Sequence, residues 1–215
     1  MVTSVYEFFF RLARCPVCRI RPSSSLGCCP ECADEMFEPH AEESQLVLGW
    51  YRGRLEQAIR ALKFRNVTRL ATLFGVTLAD TVRDQAWQID LVTPVPLHLK
   101  RRLERGYNQA GLVGRIAAKE LDCRFYPGLT RVRATAQQAR LGGAQRQDNV
   151  ANAFEVNEPL SGEHVLLIDD VMTSGATLTE CALALLGAGA GRVYLAAVAK
   201  TPTDRHTPTK KRLRR

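Results

Sequence analysis

Short, continuously apolar runs alternate along this chain with stretches whose apolar residues recur at helical spacing. Residues 165–168 (Val-Leu-Leu-Ile) have the pattern of a parallel strand buried on both faces. Residues 89–97 read as a second buried strand, stopped by Pro94 and Pro96, which cannot donate to a ladder. Residues 46–51, 123–126, 153–156 and 192–198 give further strands. Leu55, Ile59 and Leu62 mark one helix, with Gly53 turning the chain before it. Leu70, Leu73, Phe74, Val76, Leu78 and Val82 mark a second over 68–84, and two more cover 110–121 and 178–186. Strands interleaved with helices predict an α/β protein with a parallel sheet. The glycine-rich 187–191 follows a helix and precedes a strand, the reverse of a dinucleotide fingerprint, so it reads as a helix stop.

The stretch that organises the chain is 164–177. Its apolar strand ends on two adjacent carboxylates, Asp169 and Asp170, followed by Thr173, Ser174, Gly175, Ala176 and Thr177 and then a helix. Hydroxyls and unpaired backbone N–H groups at a helix N-terminus favour a phosphate. Carboxylates repel phosphate but accept hydrogen bonds from sugar hydroxyls, and they lie at the strand end where open α/β sheets bind ligands. A sugar phosphate satisfies both halves. A strand-to-helix turn capped by Thr173 or Ser174 is the bland alternative, but a cap has no need of two aspartates.

Near the start, Cys15-Pro-Val-Cys18 and Cys29-Pro-Glu-Cys32 form two Cys-x-x-Cys knuckles separated by a ten-residue loop. Such knuckles aim four thiolates at one tetrahedral centre, which predicts a zinc ribbon with Cys15, Cys18, Cys29 and Cys32 as ligands and Cys28 as a spare. Four thiolates leave no open position for water, so the zinc is expected to be structural. Four reduced thiols without metal are the alternative. With these cysteines assigned to metal and no apolar run of membrane-spanning length, the chain reads as a soluble cytoplasmic protein without membrane insertion. Residues 5–10 are short and interrupted by Glu7, and no basic residue precedes them, so they do not read as a signal peptide.

Charge divides the chain. The net charge is +8 over 215 residues, yet residues 1–50 hold four arginines against seven carboxylates, so the remainder carries +11. An anionic ligand, a nucleic acid, or both would suit that excess. Lys100, Arg101 and Arg105 form a cationic segment after the second strand, placed to hold pyrophosphate; a charged helix face is the competing reading. Arg131, Gln138 and Arg146 lie in a basic, glycine-containing segment over 130–152 that reads as a lid rather than a connector. Arg60, Lys63, Arg65 and Arg69 are equally a solvated face or ligand contacts. The expected organisation is an N-terminal arm and zinc ribbon over 1–45, the α/β domain over 46–200, and a disordered basic tail over 201–215.

The nine residues Asp169 to Thr177 closely resemble the phosphoribosyl-pyrophosphate (PRPP) loop of type I phosphoribosyltransferases. Further motifs follow in order: Tyr51-Arg-Gly, Leu62-Lys-Phe64, Pro94-Val-Pro-Leu97, Arg105-Gly-Tyr-Asn-Gln109, Arg131 through Thr135 to Gln138, and Arg146-x-x-Asn149 with Ala153-Phe154. With the cysteine ribbon they resemble the ComF family of competence and DNA-utilisation proteins over nearly all of residues 1–200. The resemblance implies a type I phosphoribosyltransferase fold and a role in DNA uptake or utilisation. It also implies a loop at 173–177 for the ribose 5-phosphate, Asp169 and Asp170 on the ribose hydroxyls, and Mg²⁺ on the bound PRPP. It does not say which base, if any, is the acceptor. Two functions therefore stand: a PRPP-dependent transferase, or a non-catalytic protein on the same fold that senses PRPP or a nucleotide and handles single-stranded DNA beside other DNA-uptake proteins.

Overall fold

The computed structural model describes residues 14–132 and 153–202. The expected arm over 1–13, the lid residues Gln138 and Arg146, and the tail beyond residue 202 lie outside that range. A six-stranded sheet is ordered β1-β2-β8-β7-β3-β4. Its members are β1 (His40–Glu42), β2 (Gln45–Val47), β3 (Leu91–Pro94), β4 (Arg124–Phe125), β7 (His164–Met172) and β8 (Arg192–Lys200). Only the β1–β2 pair is antiparallel. A separate two-stranded ribbon pairs β5 (Leu129–Arg131) with β6 (Phe154–Val156).

β7 is central, and its apolar run 165–168 is fully buried, as a strand covered on both faces requires. Side chains alternate across a strand. Leu166 and Ile168 accordingly pack beneath three helices, α2 (Gly53–Phe64), α3 (Leu70–Asp84) and α5 (Gln109–Glu120). Val165 and Leu167 pack on the other face with Leu178, Cys181 and Leu185 of α6 (Ala176–Gly187) and with the β5–β6 ribbon. The cysteine-rich segment is not a separate bead. Cys15, Cys28, Cys29 and Cys32 belong to the same buried cluster as Leu55, Ile59 and Leu62 of α2. The polar stretch 33–45, read from sequence as an exit and linker, carries the end of α1 (Pro30–Asp34) and the hairpin that leads into the sheet.

Three further departures matter for the site. β7 does not stop at Ile168. It continues to Met172, because β8 is nine residues long and still pairs with Asp169, Val171 and Met172. The cationic segment after β3, expected as a loop, is a helix, α4 (Leu99–Arg105). The glycine-rich stop is a tight turn: Gly189 has φ +104°, and a side chain there would sit 2.3 Å from the carbonyl oxygen of Leu160. The chain leaves β3 toward β4 on one side and β7 toward β8 on the other, so the loops after these neighbouring strands diverge. Such a switch point opens a crevice at the carboxyl ends of the strands. Among the described residues, no helix is long and apolar enough to cross a membrane.

Candidate sugar-phosphate site and cysteine centre

The strand–loop–helix unit is built as its sequence implied. Gly175 caps α6 in the left-handed region, φ +80°, a conformation open to glycine at little cost. Thr173, Ser174, Ala176 and Thr177 are exposed, and α6 has no acidic residue in its first turn. No carboxylate of the helix's own first turn therefore opposes an anion at its N-terminal N–H groups and hydroxyls. The switch point lies beside this turn. Thr93, fully buried at the end of β3, has a hydroxyl without a hydrogen-bond partner among the described residues.

The two aspartates differ. Strand alternation sends Asp170 to the α2 face and Asp169 to the α6 face. Asp170 pairs with Lys63 Nζ at 2.7 Å, and each side chain is only 15% exposed. Asp169 Oδ1 accepts the Asp170 N–H at 2.8 Å. Burial, then the neighbouring Asp170 charge, push Asp169 up to about 7, against the opposing pull of that N–H and of Lys63. Its field in turn adds to the burial that raises the Cys181 thiol on α6, which Arg131 opposes. Arg131, half-buried over the Phe154 ring, thus stands on the Asp169 side.

Arg101 and Arg105 of α4 lie on the other side. With Lys63, Phe64, Tyr51 and Tyr107 they line an open cavity of about 730 Å³. Lys100 lies on the same helix. The 105–109 motif explains how α4 is held. Arg105 donates to Gln109 at 2.9 Å, the Tyr107 hydroxyl donates to the Leu62 carbonyl, and Asn108 donates to the Val95 carbonyl at 2.9 Å. These bonds tie the cationic helix to α2 and to the loop after β3. From the sequence Lys63 reads equally as part of a solvated basic face or as a ligand contact. Its helical phase, one residue after the buried Leu62, gave no sign of a carboxylate 107 positions away.

The four cysteines expected as ligands converge, with their sulfurs all within 4.8 Å of one another. Cys18 and Cys29 are 3.8 Å apart, the edge of a tetrahedron whose metal–sulfur bonds are about 2.3 Å. The donor set therefore fits zinc. Backbone N–H groups of Arg21 and Ile20 bring Cys18 down to about 6, toward the thiolate a metal needs. Cys28 is buried outside the cluster; burial pushes its thiol up to about 12 and raises Cys29 and Cys32 as well, so it is position that marks Cys28 as the spare. Arg54, at the start of α2, donates to Cys32 Sγ at 3.1 Å and pairs with Glu35. At the far end of α2, Arg65 donates to the Pro16 carbonyl. The helix that carries Lys63 is thus clasped at both ends by the cysteine segment.

The phosphoribosyl transferase domain model matches residues 109–214. The DNA utilization protein YhgH of Escherichia coli O6:H1 is 32% identical over 193 residues, covering 87% of this chain and 84% of that protein. Competence protein F of Haemophilus influenzae is 29% identical over 178 residues, covering 79% of this chain and 78% of its own length. Competence protein ComFC of Bacillus subtilis is 28% identical over 184 residues, covering 81% and 72%.

Metal analysis of protein kept reduced should find one zinc per chain; a ratio near zero ends the assignment. Cys29→Ser should lose the metal and Cys28→Ser should keep it. A second expectation concerns pH. An acid whose native pKa is raised keeps its proton where the unfolded chain has lost it. Between about pH 4 and pH 7 the native state then binds more protons, and this group's contribution to stability falls as pH rises. Asp169→Asn cannot ionise, so its melting temperature should gain on the parent's across that window. An equal difference at both ends would contradict the assignment.

Proposed function

Because this chain belongs to the ComF family of competence and DNA-utilisation proteins, we propose that it binds PRPP or a closely related sugar phosphate and acts in the cytoplasm during DNA uptake or utilisation. The observation that carries the reading is the end of β7. An acidic pair stands at a switch point, followed at once by an exposed, hydroxyl-rich turn on a helix N-terminus that carries no acid. The turn suits the 5-phosphate and Asp169 and Asp170 suit the ribose hydroxyls. Lys100, Arg101 and Arg105 follow β3 on the adjoining helix, where a pyrophosphate would be held. Mg²⁺, a hard cation, would come with the pyrophosphate and neutralise its charge. Arg131 stands at the base of the segment proposed as a lid.

Transferase chemistry on this site would need charge stabilisation on the leaving pyrophosphate and fixed placement of the ribose. The chain supplies residues for both. Release of pyrophosphate from PRPP, with and without added nucleobases, decides between turnover and binding alone.

Calorimetric titration with PRPP and Mg²⁺ tests the binding. Asp169→Asn with Asp170→Asn should weaken PRPP but spare or strengthen inorganic phosphate, because it removes hydroxyl acceptors and two negative charges together. PRPP binding unchanged in that double variant would sink the ribose-clamp reading. Thr177→Ala should cost about 0.5–1.5 kcal/mol, up to about 3 if its bond is to the charged phosphate. Gly175→Val should do worse, since it strains a left-handed residue and crowds the approach of the ligand.

One observation favours single-stranded DNA as an additional partner. Phe64 is 66% exposed, and the Arg105 guanidinium lies 5.0 Å over its ring, an aromatic and a cation together as stacked bases require. Oligonucleotide binding should fall steeply with salt and weaken in Phe64→Ala. Affinity indifferent to salt would exclude this surface.

A further inference from the structure

The Lys63–Asp170 pair is the one feature of the site that neither the loop motif nor the cationic helix accounts for. It joins two side chains 107 residues apart, at 2.7 Å, in a place that leaves each 15% exposed. Buried ion pairs are poor investments for stability alone, because desolvation consumes most of the Coulomb gain. Apolar replacements of such pairs are often neutral. This pair is not deep in the core either. It stands at the carboxyl end of β7, one residue from Asp169, and Lys63 is also a wall of the open cavity.

The backbone around Lys63 is fixed from several directions. Leu62 is 1% exposed beneath it, and its carbonyl accepts the Tyr107 hydroxyl. Arg65 is tied to the Pro16 carbonyl, and Arg54 to Cys32. The ammonium is thereby delivered to a set point rather than left to find one. Three groups of known position interact electrostatically with the Asp170 carboxylate. Lys63 attracts it, Asp169 repels it, and the Tyr51 phenol feels its charge, which helps raise that phenol. Without Lys63, two carboxylates would share one low-dielectric strand end, and a proton or a metal would be needed to settle them.

We propose that Lys63 is a specificity-determining residue of the sugar-phosphate site: it clamps the Asp170 carboxylate in one fixed orientation, so that the site demands a ribose hydroxyl there and discriminates against a deoxyribose. This rests on the sugar-phosphate reading above and adds to it the sugar class and the residue that selects it. An acceptor held rigid by an ion pair cannot turn to water or to another donor when the ligand lacks a hydroxyl. A site built around a fixed polar group rejects the analogue that leaves the group unmatched far more strongly than an adaptable site does. Lys63 acts here through Asp170, as a positioning residue.

The test compares ribose 5-phosphate with 2-deoxyribose 5-phosphate, each titrated into full-length protein, with PRPP and inorganic phosphate as controls. The parent should prefer the ribose form by about tenfold or more, the range of a hydrogen bond to a charged group. Lys63→Met keeps the length of the stem and removes the charge. It should bring the preference to within about threefold while inorganic phosphate stays within about threefold of the parent, a pattern that general loss of structure would not produce. Lys63→Arg keeps the charge but carries it on a planar fork, and should give an intermediate preference. If Lys63→Met does not fold, Lys63→Arg decides. A parental preference retained in whichever variant is read overturns the proposal while leaving PRPP binding intact. A parent that binds no sugar phosphate at all overturns the function proposed above and this inference with it.

Discussion

Two carboxylates on neighbouring residues at the buried end of a central strand cannot both be ionised at low cost unless a cation is brought to them. Much of the architecture serves that one demand. β7 must be central to end at the switch point, so both its faces must be apolar and both must be covered. The α2 face brings Lys63 to Asp170. The α6 face leaves Asp169 with the N–H of its own neighbour and with a pKa pushed up to about 7. The acidic pair is thus divided by the pleat of the strand into a carboxylate held by Lys63 and a group able to hold a proton near neutrality.

The cysteine centre enters this scheme through α2. The ribbon contributes to the same apolar core as the helix and grips it through Arg54 at one end and Arg65 at the other. A four-thiolate metal site contributes directly to folding free energy. A metal held by these four sulfurs would apply that energy to the helix which delivers Lys63, and no cysteine need approach a ligand for it to matter. The 105–109 motif does the same for the cationic helix. Its tyrosine and asparagine bond to the backbone of α2 and of the loop after β3, so the charges of α4 are held across the cavity from Lys63.

Sequence and structure agree most closely where the physics is local. Residues 165–168 can only be a strand buried on both faces, and Gly175 must reach a left-handed conformation to turn that strand into a helix. The spacing of two Cys-x-x-Cys turns selects Cys15, Cys18, Cys29 and Cys32, and the convergence of their sulfurs follows from knuckle geometry. Local reasoning erred where a neighbour overrides propensity. β7 runs through two aspartates because β8 offers pairing partners beyond them. Residues 40–45, read as part of a polar exit and linker, belong to a hairpin because its second strand, Gln45–Val47, finds a partner at 195–197.

The sequence by itself determined the alternation of the main strands and helices, the loop that ends on Thr177, the spacing of the four cysteines that converge and the positive excess beyond residue 50. These follow from periodicity, turn chemistry and ligand spacing, all written within about a dozen neighbouring residues. Only the tertiary structure decided that Lys63 meets Asp170, that Arg54 reaches Cys32, that Asp169 and Asp170 face opposite sides of the sheet, and that Arg101 and Arg105 share a cavity with Tyr51 and Phe64. All but the division of the aspartates join residues far apart in the chain, and that division exists because β8 extends β7 past them. A lysine on a helix carries the same local signature whether it faces water or a carboxylate, and only the packing of α2 against β7 makes the difference.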